Sequence, residues 1–189
     1  MLRPSHARPS LSVEIYTGRM RTTFLVVSLA VSLFAETAAG LRWTPPAGWK
    51  NEGSTAMRIA TYMLPTGPND KAECAVYFFG PGQGGTVDAN MGRWKGQLVD
   101  AAGKPSKADI HKKTIHGLPV TTIDTTGSYT GMGGPMNASP TVHPNYRLLG
   151  AIIEGPGGNI FVKFTGPAKL VAANLKNFEQ MIASFQKEK

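Results

Sequence analysis

Three groups of residues in this chain have types and spacings that could do chemistry. The first is Gly80-Pro81-Gly82-Gln83-Gly84-Gly85-Thr86, a glycine loop lying between an apolar run and a helical pattern. Consecutive backbone N–H groups ahead of a helix N-terminus can hold an anion without any side-chain ligand. Gln83, Gly84, Gly85 and Thr86 are therefore a candidate anion nest, with Arg93 as its nearby cation. The second group is Glu73 and Asp124, carboxylates that interrupt predicted strands. A buried carboxylate must be paired or shift its pKa, and Arg93 or Lys163 could pair with either. The third is Cys74, the only cysteine. It can form no intramolecular disulfide and reads as a small buried hydrophobe. A reactive thiol needs exposure and a neighbouring cation or helix N-terminus, and the sequence around it supplies neither.

Other chemistries find less support. Gly80, Gly82 and Gly85 match a Gly-x-Gly-x-x-Gly pattern between a strand and a helix, as a dinucleotide fingerprint would. The surrounding strands are joined by short turns, however, and read as antiparallel rather than as a βαβ unit. Thr86 stands where a phosphate-binding Walker loop has lysine. The serines lack a Gly-x-Ser-x-Gly setting, so no catalytic set is recognisable. His111, His116 and His143 are far apart and have no metal spacing with Cys74, so neither a metal nor a cofactor is expected. The formal net charge is +8. The nearest approach to a basic cluster is Lys104, Lys107, Lys112 and Lys113, without interleaved aromatics, which points away from specific nucleic-acid binding. The charge serves solubility and long-range attraction of anions.

The elements that must position these residues follow from periodicity. Residues 57–64 and 72–79 alternate as two strands of an antiparallel hairpin. The second puts Cys74, Val76 and Phe78 on one face and Glu73, Ala75, Tyr77 and Phe79 on the other. Both faces are largely apolar, so this strand is expected inside a sheet. Val87, Met91, Trp94 and Leu98 form one helical stripe, with Thr86 as N-cap and Asp88 at the positive end. Asn90, Arg93 and Gln97 share the adjacent polar face. Residues 108–114 and 118–129 read as strands. Residues 146–154 and 159–165 read as a hairpin across Gly155-Pro156-Gly157-Gly158. A C-terminal helix is expected from Gly166-Pro167 to about Gln186. Trp43 and Trp49, beside Pro45 and Pro46, are expected to cover the core. Residues 131–144 are rich in helix and strand breakers and are expected to be a long surface loop. The fold class is α+β: a single domain with a mostly antiparallel sheet of about six strands, packed by a mid-chain helix and a C-terminal helix.

The N-terminus reads as an address. Residues 24–35 are an apolar run, preceded by Met20-Arg21 and followed by Thr37-Ala38-Ala39. Those are the three regions of a secretory signal peptide, and the run is shorter than the roughly 18 apolar residues of a membrane span. Residues 1–39 are thus an extension plus signal peptide, cleaved near Ala39 or Gly40, and residues 41–189 an exported, periplasmic or extracellular domain. Met20 would itself serve as a start. The membrane is involved only through export.

The order strand, strand, helix, four strands, long helix resembles the PsbP-like α/β/α sandwich proteins. The resemblance covers residues 41–186. It rests on Pro45-Pro46-x-Gly48-Trp49, on the paired strand and mid-chain helix, and on Phe161-Val162-Lys163-Phe164 followed by a helix ending Ile182-Ala183-Ser184-Phe185. It implies an exported accessory or binding protein and transfers no functional residue. The expected function is that of a non-enzymatic exported domain binding a partner protein or a small anionic ligand. The alternative is a hydrolase-type enzyme. A deep pocket gathering Glu73, Arg93, Asp124 or Tyr129 would favour the enzyme, and a flat or apolar groove the binder.

Overall fold

The computed structural model describes residues 35–64, 71–130 and 142–188. Eleven strands and three helices are present among them, not six strands and two helices. They are β1 (Glu36–Ala38), β2 (Leu41–Trp43), β3 (Lys50–Asn51), β4 (Arg58–Met63), β5 (Glu73–Phe78), α1 (Val87–Lys95), β6 (Leu98–Val99), β7 (Ala108–Ile115), β8 (Leu118–Tyr129), β9 (His143–Gly155), β10 (Gly158–Pro167), α2 (Ala168–Ala173), α3 (Leu175–Ala183) and β11 (Gln186–Lys187). An eight-stranded antiparallel sheet runs β3-β4-β5-β10-β9-β8-β6, with β7 also paired to β8. A second sheet of three strands runs β1-β2-β11. The extra strands are two or three residues long, too short to show a period.

The α+β class, the mostly antiparallel sheet and the mid-chain helix are as expected. Three details differ. The C-terminal helix is broken at Asn174 and ends at Ala183, because residues 186–187 pair with β2. Leu98 belongs to β6 rather than to α1. His143 and Pro144 open β9, Val142 before them is exposed, and residues 131–141 of the expected loop lie outside the described residues. The turn between β4 and β5 also lies outside them. Strand β1 lies just ahead of the expected cleavage point near Ala39 or Gly40.

Period-2 alternation sorts the side chains onto two faces. One face carries Cys74, Val76, Ala151, Ile153, Val162 and Phe164, covered by α2, α3 and the small sheet. Trp43 lies in this core, donating from Nε1 to the Tyr62 hydroxyl at 2.9 Å and stacking on Phe185 at 5.2 Å. Trp49 covers Phe164 at 4.6 Å. Cys74 is fully buried, and burial pushes its thiol pKa far up, so it is an inert hydrophobe. The other face carries Ile123, Ile152 and Phe161, on which α1 lays Met91 and Trp94. Thr86 caps α1, its Oγ1 accepting from the Ala89 N–H at 3.2 Å. The helix is short and covers only part of this face. Among the described residues no helix is long and apolar enough to cross a membrane.

Candidate functional site

The site follows from that partial cover. Antiparallel register sets Lys163 of β10 opposite Ala75 of β5 and Gly150 of β9. Phe161 in turn stands opposite Tyr77. All point to the face carrying α1. Beyond the helix, Tyr77, Tyr129, Tyr146 and His143 line a cavity of about 260 Å³ with Arg58 and Lys163. A smaller space of about 60 Å³ adjoins it under α1, and Tyr77 and Lys163 line both. Phe161 and Trp94 wall the smaller one, together with Arg93 and Gln97.

Aromatic rings hold the cations in place. Lys163 Nζ donates to the Tyr129 hydroxyl at 3.1 Å and sits 5.2 Å from the centre of that ring. The Arg58 guanidinium lies 5.4 Å from the Tyr77 ring centre. Such cation–π contacts strengthen as water is excluded. Tyr129 stacks on Tyr146 at 5.9 Å, and the His143 ring lies tilted against Tyr146 at 5.1 Å. Burial pushes the Tyr77 and Tyr129 pKa values up, so both remain phenols that can donate. Lys163 moves the other way, lowered to about 8, first by desolvation and further by the charges of Arg58 and Arg93, with Glu73 opposing. Among the described residues no carboxylate lies within ion-pairing distance of its ammonium.

The expected site residues are only partly brought together. Glu73 lines the larger cavity, paired at 2.8 Å with Arg58 rather than with Arg93 or Lys163. Asp124 lies on the opposite face of the sheet, where it accepts a bidentate pair from Arg147, with Nε at 2.8 Å. Both carboxylates are about two-fifths exposed, not buried. Arg93 reaches the smaller space and donates to Asn90 Oδ1. Asn90 and Gln97, expected on a polar outer face, are both buried.

The loop formed by Gln83, Gly84, Gly85 and Thr86 is shaped by packing. Asn90 Nδ2 donates to the carbonyls of Gly84 and Thr86, each at 2.8 Å. A Cβ on Gly84 would come within 2.8 Å of the Phe79 and Phe161 rings, at a φ of +89°. Substitution there would test ring packing before anion binding.

Sequence reasoning named Tyr129 as a possible pocket residue but not its bond to Lys163, and it missed Tyr146 and His143. Tyr129 is in β8, Tyr146 and His143 are in β9 and Lys163 is in β10, and only register brings the strands' side chains together. The one local signal was Lys163 itself, a cation inside the apolar run Ile160-Phe161-Val162-Lys163-Phe164.

The fold is similar to that of cyanobacterial PsbP. The solution structure of that protein (CyanoP) from Synechocystis sp. PCC 6803 matches over 82% of this chain and 90% of its own, with 13% identity and a TM-score of 0.48. A crystal structure from Bacteroides thetaiotaomicron matches with 13% identity and a TM-score of 0.45, covering 82% of this chain and 48% of that one. A protein of unknown function from Pseudomonas aeruginosa matches with 13% identity and a TM-score of 0.45, over 82% and 97% of the two chains. No family model matches the chain, and no curated protein matches it in sequence.

Proposed function

We propose that this chain is an exported, non-enzymatic binding domain whose tyrosine-lined cavity takes a small anionic ligand. Of the residues that would favour an enzyme, the cavity gathers Glu73 and Tyr129 but not Arg93 or Asp124, and its Glu73 is tied up by Arg58. The observation that carries this reading is the Lys163 ammonium. It is desolvated, held by Tyr129 and without a carboxylate partner among the described residues. A buried cation normally has a counter-charge or loses its proton. An anion entering the cavity would supply that charge, with the tyrosine hydroxyls as further donors. Among the described residues Glu73 is the one carboxylate lining the cavity, and Arg58 engages it at 2.8 Å. Export is supported by the charged, apolar and small-residue regions of residues 20–39.

Thermal melts at low ionic strength and pH 7 test the site. Ligand that binds only the folded state raises the midpoint in proportion to RT ln(1 + [L]/Kd). Acetate should raise the wild-type midpoint saturably, and Lys163→Met should lose that rise. Equal, non-saturating rises in both proteins would overturn the reading.

A further inference from the structure

We propose that the ligand is an aromatic carboxylate, with its carboxylate beside Gln97 in the smaller space and its ring against the tyrosines of the larger cavity. This rests on the anion-binding reading above and names the ligand class. The new observation is Gln97. Its side chain is 4% exposed, and neither Nε2 nor Oε1 has a hydrogen-bond partner among the described residues. Buried side-chain amides are nearly always satisfied, so an unsatisfied one needs an explanation. Here the amide lines a space that also receives Arg93 and Lys163, two cations, with no carboxylate on its walls. Two N–H donors from Nε2 beside two cations are the complement of a single carboxylate.

Size and lining divide the ligand into two parts. About 60 Å³ admits a group of two or three heavy atoms but not a ring, since a cavity of roughly 150 Å³ is what holds benzene. The adjoining 260 Å³ is large enough for one ring and below the roughly 300–1,000 Å³ of drug-sized sites. Its walls are aromatic, with Tyr129 and Tyr146 stacked 14° from parallel, which leaves flat surfaces for another ring. Tyr77 and Lys163 lie at the junction, so one molecule can span both spaces.

Isothermal titration calorimetry of the purified protein at pH 7 decides it, with benzoate, acetate and benzyl alcohol as probes. Benzoate should bind at least about tenfold more tightly than either of the others, a difference of about 1.4 kcal/mol. Gln97→Leu and Arg93→Gln should each weaken benzoate about three- to tenfold, as expected for loss of one bond to a charged group. Arg93 is exposed, so its variant keeps the fold. Acetate binding as tightly as benzoate would overturn the aromatic class and leave the anion site standing. Benzyl alcohol binding as tightly as benzoate would overturn the carboxylate. Undiminished benzoate binding by both variants would overturn its placement beside Gln97. Binding of none of the probes would overturn this inference and the anion site together.

Discussion

At Lys163, burial and charge oppose each other, and that gives stability a definite pH dependence. The unfolded chain holds this proton up to about pH 10.4, whereas the folded protein releases it near 8. The folded pKa is the lower, so folding below pH 8 carries the whole penalty of a desolvated ammonium. The penalty shrinks between pH 8 and 10.5 and is absent above that. At about 1.36 kcal/mol per unit it approaches 3 kcal/mol at neutral pH. Lys163→Met fills similar volume without the charge. It should raise the melting midpoint at pH 7 by about 3–10 °C, with the gap to wild type closing as pH rises from 8 to 10.5. Melts across that range check it, and a gap that stays constant would assign the gain to packing alone. Affinity for anions should fall through the same window, as the ammonium is lost. The residue thus gives up stability for a charge in a partly desolvated site, a common mark of a functional position.

Among the elements, α1 does the most to define the site, and its docking depends on one glycine. The Trp94 ring lies over Gly150 of β9, where an added Cβ would come within 2.5 Å of it. Gly150→Val should lift the helix and cost about 1–3 kcal/mol, as overpacking does. A urea titration should show a lower midpoint, and anion binding should weaken because Trp94 and Arg93 wall the smaller space. An unchanged midpoint would mean that the helix re-docks without loss. Much at this scale was legible beforehand. The stripe of Met91 and Trp94, the Thr86 cap, and the alternation in β4, β5 and β8–β10 each follow from residues close in sequence. The five short strands were not legible, because two or three residues carry no period. Nor was the break at Asn174, which comes where the last turn of α2 and the first of α3 meet beneath Trp49, whose Nε1 donates to Asn174 Oδ1 at 3.3 Å. The cavity was the least legible part. Tyr77, Tyr129, Tyr146 and Lys163 are neighbours only through strand order β5-β10-β9-β8, and a one-residue slip would send each to the other face.

For the whole molecule, the proposed site and the small sheet lie on opposite faces of the main sheet, and the N-terminus tests whether the two are independent. The small sheet sits with Leu41 and Trp43 on the core face, away from the cavity. Strands β1 and β2 join through Ala39 (φ +55°) and Gly40 (φ +71°), the left-handed pair that suits a two-residue hairpin turn. The Ala39 carbonyl accepts from the Gly157 N–H at 3.1 Å, and Glu36 accepts from Asn51 Nδ2 at 2.6 Å. Cleavage after Ala39 would cut between the two turn residues and release β1. It would leave the β2–β11 pairing and the bond from the Glu188 N–H to the Gly40 carbonyl, at 2.9 Å, in place. A chain beginning at Gly40 should therefore fold, yet lose about 1–2 kcal/mol relative to one beginning at Glu36, the net worth of the few hydrogen bonds removed. That corresponds to a midpoint lower by about 2–8 °C. Its affinity for anions should be unchanged, because Ala38 and Ala39 pack against the core on the face opposite the cavity. Parallel melts and titrations of the two chains make the comparison, and N-terminal sequencing of the protein recovered from cells shows which of them the cell keeps. A shorter chain that melts lower but binds equally well would confirm that one face is for stability and the other for ligand. A shorter chain with weakened binding would show that the sheet transmits strain between its faces.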